Sequence, residues 1–180
     1  MELQTPRLTI RFVRRDDWKE IVALWEDFAR SPYARYDAPR DTKPDAVQAM
    51  AARWAELAPL GEHMFFAVCL GARMIGMVDF HRMGCSFECG YCFHSAYHGK
   101  GYALESIAVL LDALLDDGGR CYAGTAINNL PSVKLLKSLG FRKVEEEEVS
   151  FYKDERGEPI TFAGGVYMFE KNANPQNKEA

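Results

Sequence analysis

Apolar residues recur along the chain at two spacings, and the switches between them outline the elements. Thr9 to Arg14 alternates apolar and polar positions, a short β run. Asp16 and Asp17 stand as cap candidates before Ile21, Leu24, Trp25 and Phe28, which share one helical face. Ser31 to Asp41 is irregular. Pro44 and Asp45 open a second helix with Val47, Met50, Ala51, Trp54 and Leu57 on its face, ended by Pro59 and Gly61. Strands are predicted over Phe65 to Leu70 and Met74 to Phe80, joined by Gly71-Ala72-Arg73, and over Phe87 to His94.

A third helix follows the turn His98-Gly99-Lys100-Gly101. Its expected stripe is Leu104, Ile107, Ala108, Leu111, Leu114 and Leu115, and Gly118-Gly119 ends it. Arg120 to Ala126 reads as a buried strand, and Asn129 to Leu139 as a helix stopped by Gly140. Two strands, Phe141 to Tyr152 and Phe162 to Phe169, close the pattern. The order β-α-α-β-β-β-α-β-α-β-β predicts one α/β or α+β domain over residues 1–171, with a polar, flexible tail over 172–180.

Composition narrows the function. The 180 residues are 48% hydrophobic and carry a net charge of −4, which disfavours a nucleic-acid binder relying on a general basic field. No apolar run is long enough to span a bilayer and no export segment opens the sequence, so a soluble, cytoplasmic protein without membrane partners is expected. The five cysteines are odd in number and do not suggest a disulfide framework. Cys85, Cys89 and Cys92 mimic the cluster motif of radical S-adenosylmethionine enzymes. On a strand, however, Cys89 and Cys92 would face opposite sides, about 10 Å apart along the chain.

The segment Tyr97-His98-Gly99-Lys100-Gly101-Tyr102-Ala103 has the form of a pyrophosphate cradle. Two glycines let the backbone approach an anion, and the amides of a helix start then point at it. It is neither a Walker loop nor a dinucleotide fingerprint, since Leu104 stands where a third glycine belongs.

With Gly90-Tyr91 before it and Asn129-Leu130-Pro131-Ser132-Val133-Lys134 through Gly140-Phe141 after it, this segment resembles the GNAT superfamily of acetyl-coenzyme A dependent N-acetyltransferases. Thr5-Pro6-Arg7-Leu8-Thr9-Ile10-Arg11 is similar to the opening of its ribosomal-protein N-terminal acetyltransferase branch. The resemblance implies a mixed, mostly antiparallel sheet of about seven strands, splayed to admit the cosubstrate and flanked by about four helices. It places acetyl-coenzyme A on His98, Gly99, Lys100, Gly101, Tyr102 and Ala103, with His98 in place of the usual Gln or Arg. Phe93, His94 and Ser95 would pair with the pantetheine arm, and Asn129 would touch the cosubstrate.

Acetyl transfer needs a neutral amine, a donor for the thioester oxygen and a proton for the leaving thiolate. Glu88, in Glu88-Cys89-Gly90-Tyr91, matches the family's candidate base, with Asp79 a rival. A tyrosine common in the family after the asparagine is replaced by Leu135-Leu136; the resemblance to the ribosomal-protein branch, which has a serine matching Ser132, implies Ser132 as the candidate acid. Tyr33, Tyr36 and Asp37 fall in the loop that borders the acceptor in this family. His81, His94 and His98 show no metal spacing, and no metal is expected. Glu145 to Glu148 reads as a solvated strand face. The expected acceptor is a protein N-terminal α-amine. A small amine, such as an aminoglycoside, polyamine or amino-acid derivative, stays open, as do a coenzyme A sensor without turnover and a homodimer.

Overall fold

The computed structural model describes residues 1–172. The tail expected over 172–180 lies, from residue 173 on, outside the described residues. Among the described residues, eight strands form one open sheet in the order β1-β2-β3-β4-β5-β6-β8-β7. These are β1 (Glu2–Gln4), β2 (Thr9–Phe12), β3 (His63–Leu70), β4 (Arg73–Met83), β5 (Ser86–Phe93), β6 (Arg120–Ala126), β7 (Arg142–Lys153) and β8 (Pro159–Glu170). Four α-helices of the described residues flank it: α1 (Trp18–Ala29), α2 (Pro44–Leu57), α3 (Tyr102–Leu114) and α4 (Leu130–Ser138).

Every neighbouring pair is antiparallel except β5 with β6. Those two are paired only over Ser86–Glu88 and Arg120–Tyr122. Beyond that point β5 runs on to Phe93 and β6 to Ala126 without pairing, so the sheet parts between them.

The strand period of two splits the core. Phe66, Val68, Phe80, Phe87 and Cys89 face α3 and α4, packing on Ile107, Leu110, Leu111 and Leu136. Ala67, Cys69, Met77 and Cys92 face α1 and α2, packing on Ile21, Leu24, Trp25, Val47 and Ala51. Phe66 and Phe80 are fully buried, and truncating either to Ala would cost about 3–5 kcal/mol.

Three details depart from the sequence reading. Strand β1 is additional to the seven expected. It folds back on β2 because the Thr5 amide donates to the Leu8 carbonyl (2.9 Å) and the Thr5 hydroxyl accepts from the Leu8 amide (2.9 Å). Asp17 stands at the N-cap position of α1 but gives that helix no side-chain cap: its carboxylate takes two hydrogen bonds from Arg11 (2.7 and 2.8 Å) and one from the Arg14 amide (2.7 Å). The buried stripe of α3 is Ser106, Ile107, Leu110 and Leu111, while Leu104 and Ala108 are exposed. Ser106 can sit there because its hydroxyl bonds back to the carbonyls of Tyr102 (2.9 Å) and Ala103 (3.2 Å).

Candidate active site

The glycine turn lies between the short helical turn Ser95–Tyr97 and α3. Gly99 and Gly101 take φ of 72° and 79°, values that only glycine adopts without strain. Gly101 is the N-cap residue of α3 and brings no side-chain cap. The first-turn amides therefore remain donors at the positive end of the helix dipole, the arrangement a diphosphate requires. The Lys100 amine folds back to the Ala96 carbonyl (3.0 Å) over the Tyr97 ring. His98 Nε2 lies 2.7 Å from the Phe93 carbonyl, so it carries the hydrogen and ties the turn to the end of β5.

Phe93, His94 and Ser95 lie at that strand end. Gly76 on β4 leaves the room its Cβ would take for the Phe93 ring. The His94 amide donates to the Ile75 carbonyl (3.0 Å). The Ser95 amide (2.7 Å) and hydroxyl (2.8 Å) both donate to the Asp27 carboxylate on α1. Burial pushes the Asp27 carboxyl up, and the Ser95 hydrogen bonds outweigh it and hold it below the usual carboxylate range.

Where β5 and β6 part, Tyr91 reaches α4. Its hydroxyl lies 2.7 Å from the Ser132 hydroxyl. Burial pushes the Tyr91 phenol far above its ordinary value, so it stays protonated. Asn129 is the N-cap of α4 and accepts from the Ser132 amide (3.4 Å), which fixes the base of that helix beside the gap. Sequence reasoning places Ser132 and Asn129 together but misses Tyr91, which enters there only as part of a motif.

The opposite face holds the carboxylates. Glu88 is exposed, at the last position where β5 pairs with β6, and lies across from His81 on β4. Asp79 lies over Gly90: a Cβ there would stand 2.7 Å from Asp79 Oδ2, so only glycine leaves the carboxylate its place. His81 Nε2 is 3.1 Å from Asp79 Oδ2, and His81 Nδ1 is 3.0 Å from His63 Nδ1. The hydrogen bond to Asp79 raises the His81 pKa above its ordinary value. From the sequence His81 looks isolated; its pairing with His63 follows from the β3–β4 register, in which the two stand opposite each other.

Tyr33 and Tyr36 line a cavity of about 640 Å³ with Arg35 and Asn128, beside the start of α4. Tyr36 also meets Phe162 of β8 edge-on at 5.2 Å. Asp37 is not on that lining; it pairs with Arg40 at 2.6 Å. Glu145–Glu148 are exposed on β7. Cys89 and Cys92 are buried on opposite faces of the sheet and Cys85 is exposed in the β4–β5 turn, so the three thiols do not converge. Among the described residues, no group of three or more His, Cys, Asp or Glu could hold a metal ion, and no helix is long and apolar enough to cross a membrane.

Comparison with known proteins bears on this geometry. Residues 7–142 match the acetyltransferase (GNAT) domain family. An uncharacterized N-acetyltransferase p20 of Bacillus licheniformis is 28% identical over 176 residues, covering 93% of both chains. A ribosomal L7/L12 α-N-protein acetyltransferase solved in complex with coenzyme A is similar with a TM-score of 0.79 at 12% identity, covering 97% of this chain and 100% of that one. A spermidine N-acetyltransferase chimera from Vibrio cholerae and hSSAT is similar with a TM-score of 0.71 at 20% identity, covering 91% of this chain and 95% of that one. The parted sheet, the capless glycine turn and the family match over most of the chain lead to one conclusion: the protein belongs to the GNAT family of acetyl-coenzyme A dependent acetyltransferases.

Proposed function

We propose that this acetyltransferase acts on a protein N-terminal α-amine. The observation that carries the reading is the gap between β5 and β6, with Asp79 and Glu88 on one side and the Tyr91–Ser132 pair on the other. Acetyl-coenzyme A supplies the activated acyl group. The amides of residues 99–103 would bind its diphosphate, with His98 and Lys100 bracing the turn. Phe93, His94 and Ser95 would frame the pantetheine arm along the open edge of β5, Ser95 being held by Asp27. Asn129 would meet the arm beside α4.

Glu88 is assigned as base: at the apex of the gap it would take a proton from the acceptor amine directly or through water. An α-amine, with a pKa near 7.7–8.0, is partly neutral at about pH 7.5, whereas a lysine amine near 10.4 is almost wholly charged. A solvent-exposed carboxylate such as Glu88 suits the first task better. Ser132 is assigned as the donor to the departing sulfur. If Tyr91 is the donor of that pair, the Ser132 hydrogen would be left to point into the gap. Tyr33, Tyr36 and Asp37 would border the acceptor, with Tyr33 and Tyr36 offering aromatic surface to the residues behind the amine. We place this activity in one domain over residues 1–171 and in the cytoplasm, where free thiols stay reduced.

The test mixes the protein with acetyl-coenzyme A and a panel of amines while thiol release is followed. Release with Ser- or Ala-starting peptides and not with spermidine or aminoglycosides supports the reading. Release with small amines alone overturns the acceptor assignment. Coenzyme A binding with no release on any amine makes the protein a sensor.

A further inference from the structure

The Thr5-Pro6-Arg7 motif lies in the turn between β1 and β2, far in sequence from α3, yet it is built onto the glycine turn. The Arg7 guanidinium donates from Nη1 to the Lys100 carbonyl (2.9 Å) and from Nε to Glu105 Oε2 (2.7 Å). It lies over the Tyr102 ring at 4.6 Å, and Nη2 stands 3.4 Å from where a Cβ on Gly101 would be. The Thr5 hydroxyl meets the other oxygen of Glu105 at 2.5 Å. Three consecutive parts of the turn are thereby held by one side chain: the Lys100 carbonyl, the flank of Gly101 and the face of Tyr102.

The charge balance gives this contact a second consequence. Glu105 is in the first turn of α3. An acidic residue there stabilises the helix, but it also sets a negative charge beside the amides assigned to a diphosphate. Burial pushes the Glu105 carboxyl up, and its hydrogen bonds to Thr5 and Arg7 outweigh that and hold it below the usual range. It is therefore ionised at neutral pH, and Arg7 is its counter-charge.

We propose that Arg7 is a positioning residue for acetyl-coenzyme A, fixing the Lys100–Tyr102 turn and neutralising Glu105 so that the turn accepts a diphosphate. The inference rests on the assignment of residues 99–103 to the cosubstrate. It gives the N-terminal motif a role in affinity rather than in the chemical step. Lysine cannot replace arginine here in full, since it lacks the planar fork that reaches Lys100 and Glu105 together.

The test measures coenzyme A binding by calorimetry and steady-state kinetics on the full chain, with circular dichroism as the check on folding. Arg7→Gln is expected to raise the coenzyme A dissociation constant and the KM for acetyl-coenzyme A about tenfold, with kcat within about twofold. Arg7→Lys is expected to fall between. Glu105→Gln alone should bind at least as tightly as the parent, and the Arg7→Gln/Glu105→Gln pair should regain part of the lost affinity, an outcome that a purely mechanical brace would not produce. Unchanged KM in Arg7→Gln, or no recovery in the pair, overturns the proposal. Should Arg7→Gln fail to fold, Arg7→Lys decides between the same outcomes: weakened binding supports the proposal and parent-like affinity overturns it. A parent protein that binds no coenzyme A refutes the assignment of the turn instead, so the two failures are distinct.

Discussion

Tyr91 on β5 and Ser132 on α4 join their hydroxyls at 2.7 Å across the place where the sheet parts. Either hydroxyl can donate in this pair; with Tyr91 as the donor, the serine would keep its own hydrogen for a second acceptor. If this pair serves the leaving sulfur, Ser132→Ala should lower kcat about a hundredfold. Tyr91→Phe should lower it less, about tenfold, and the double variant should be no slower than Ser132→Ala alone. Steady-state rates on the four proteins check this, since additive losses would mean that the two hydroxyls act independently.

Glu88 stands where β5 and β6 last touch. If it is the base, it accepts the proton that the acceptor amine gives up. Glu88→Gln removes that acceptor and leaves the reaction dependent on amine already neutral in solution. The pH–rate profile should then move to higher pH, toward the acceptor amine's own pKa. A superimposable profile would exclude Glu88 from proton transfer.

Asp79 favours the charged form of His81 through its hydrogen bond and raises the folded pKa. This contribution to stability is complete below the unfolded pKa near 6.5 and fades as pH rises through the higher folded value. Asp79→Asn should therefore cost stability at pH 6 that is absent at pH 9. The difference should be about 1 kcal/mol or less, because the pair is partly exposed. Urea unfolding at the two pH values measures it, and NMR titration should show the His81 pKa falling in the variant.

The thiols should separate sharply in reactivity. Cys85 is exposed, whereas Cys69, Cys89, Cys92 and Cys121 are buried. Burial pushes Cys92 to about 11 and raises Cys69. Hydrogen bonding to Cys121 and burial raise Cys89 well above the usual thiol value. A thiol-specific reagent at pH 8 should titrate Cys85 rapidly in the native protein and all five thiols in denaturant. Rapid native labelling of a second cysteine would mean that the core opens on the timescale of the assay.

Much of this architecture is legible in the sequence because its signals are local. The faces of α1 and α2, the strand β6 and the glycine turn are written at spacings of two or 3.6, or in residues that tolerate positive φ. The opposed faces of Cys89 and Cys92 follow from strand pleating alone. What escapes is set by pairing at a distance. The three residues of β1 carry too little pattern to be seen and exist because β2 offers an edge. Ser106 hides in the core stripe of α3 because its hydroxyl is satisfied by its own helix. The His63–His81 pair depends on the register of β3 against β4, and the Tyr91–Ser132 pair on how closely α4 approaches β5. Arg7 meets Lys100 only because β2 lies in the same sheet as the strand that leads into the turn.

The short join between Ser86–Glu88 and Arg120–Tyr122 has a mechanical consequence. Among the described residues it is the one seam holding β1–β5 to β6–β8 within the sheet, so whatever fills the open stretch beyond it acts as a missing rung between two half-sheets. Occupancy should therefore stiffen the whole molecule, and backbone amides on both sides of that seam should exchange with deuterium more slowly once coenzyme A is present.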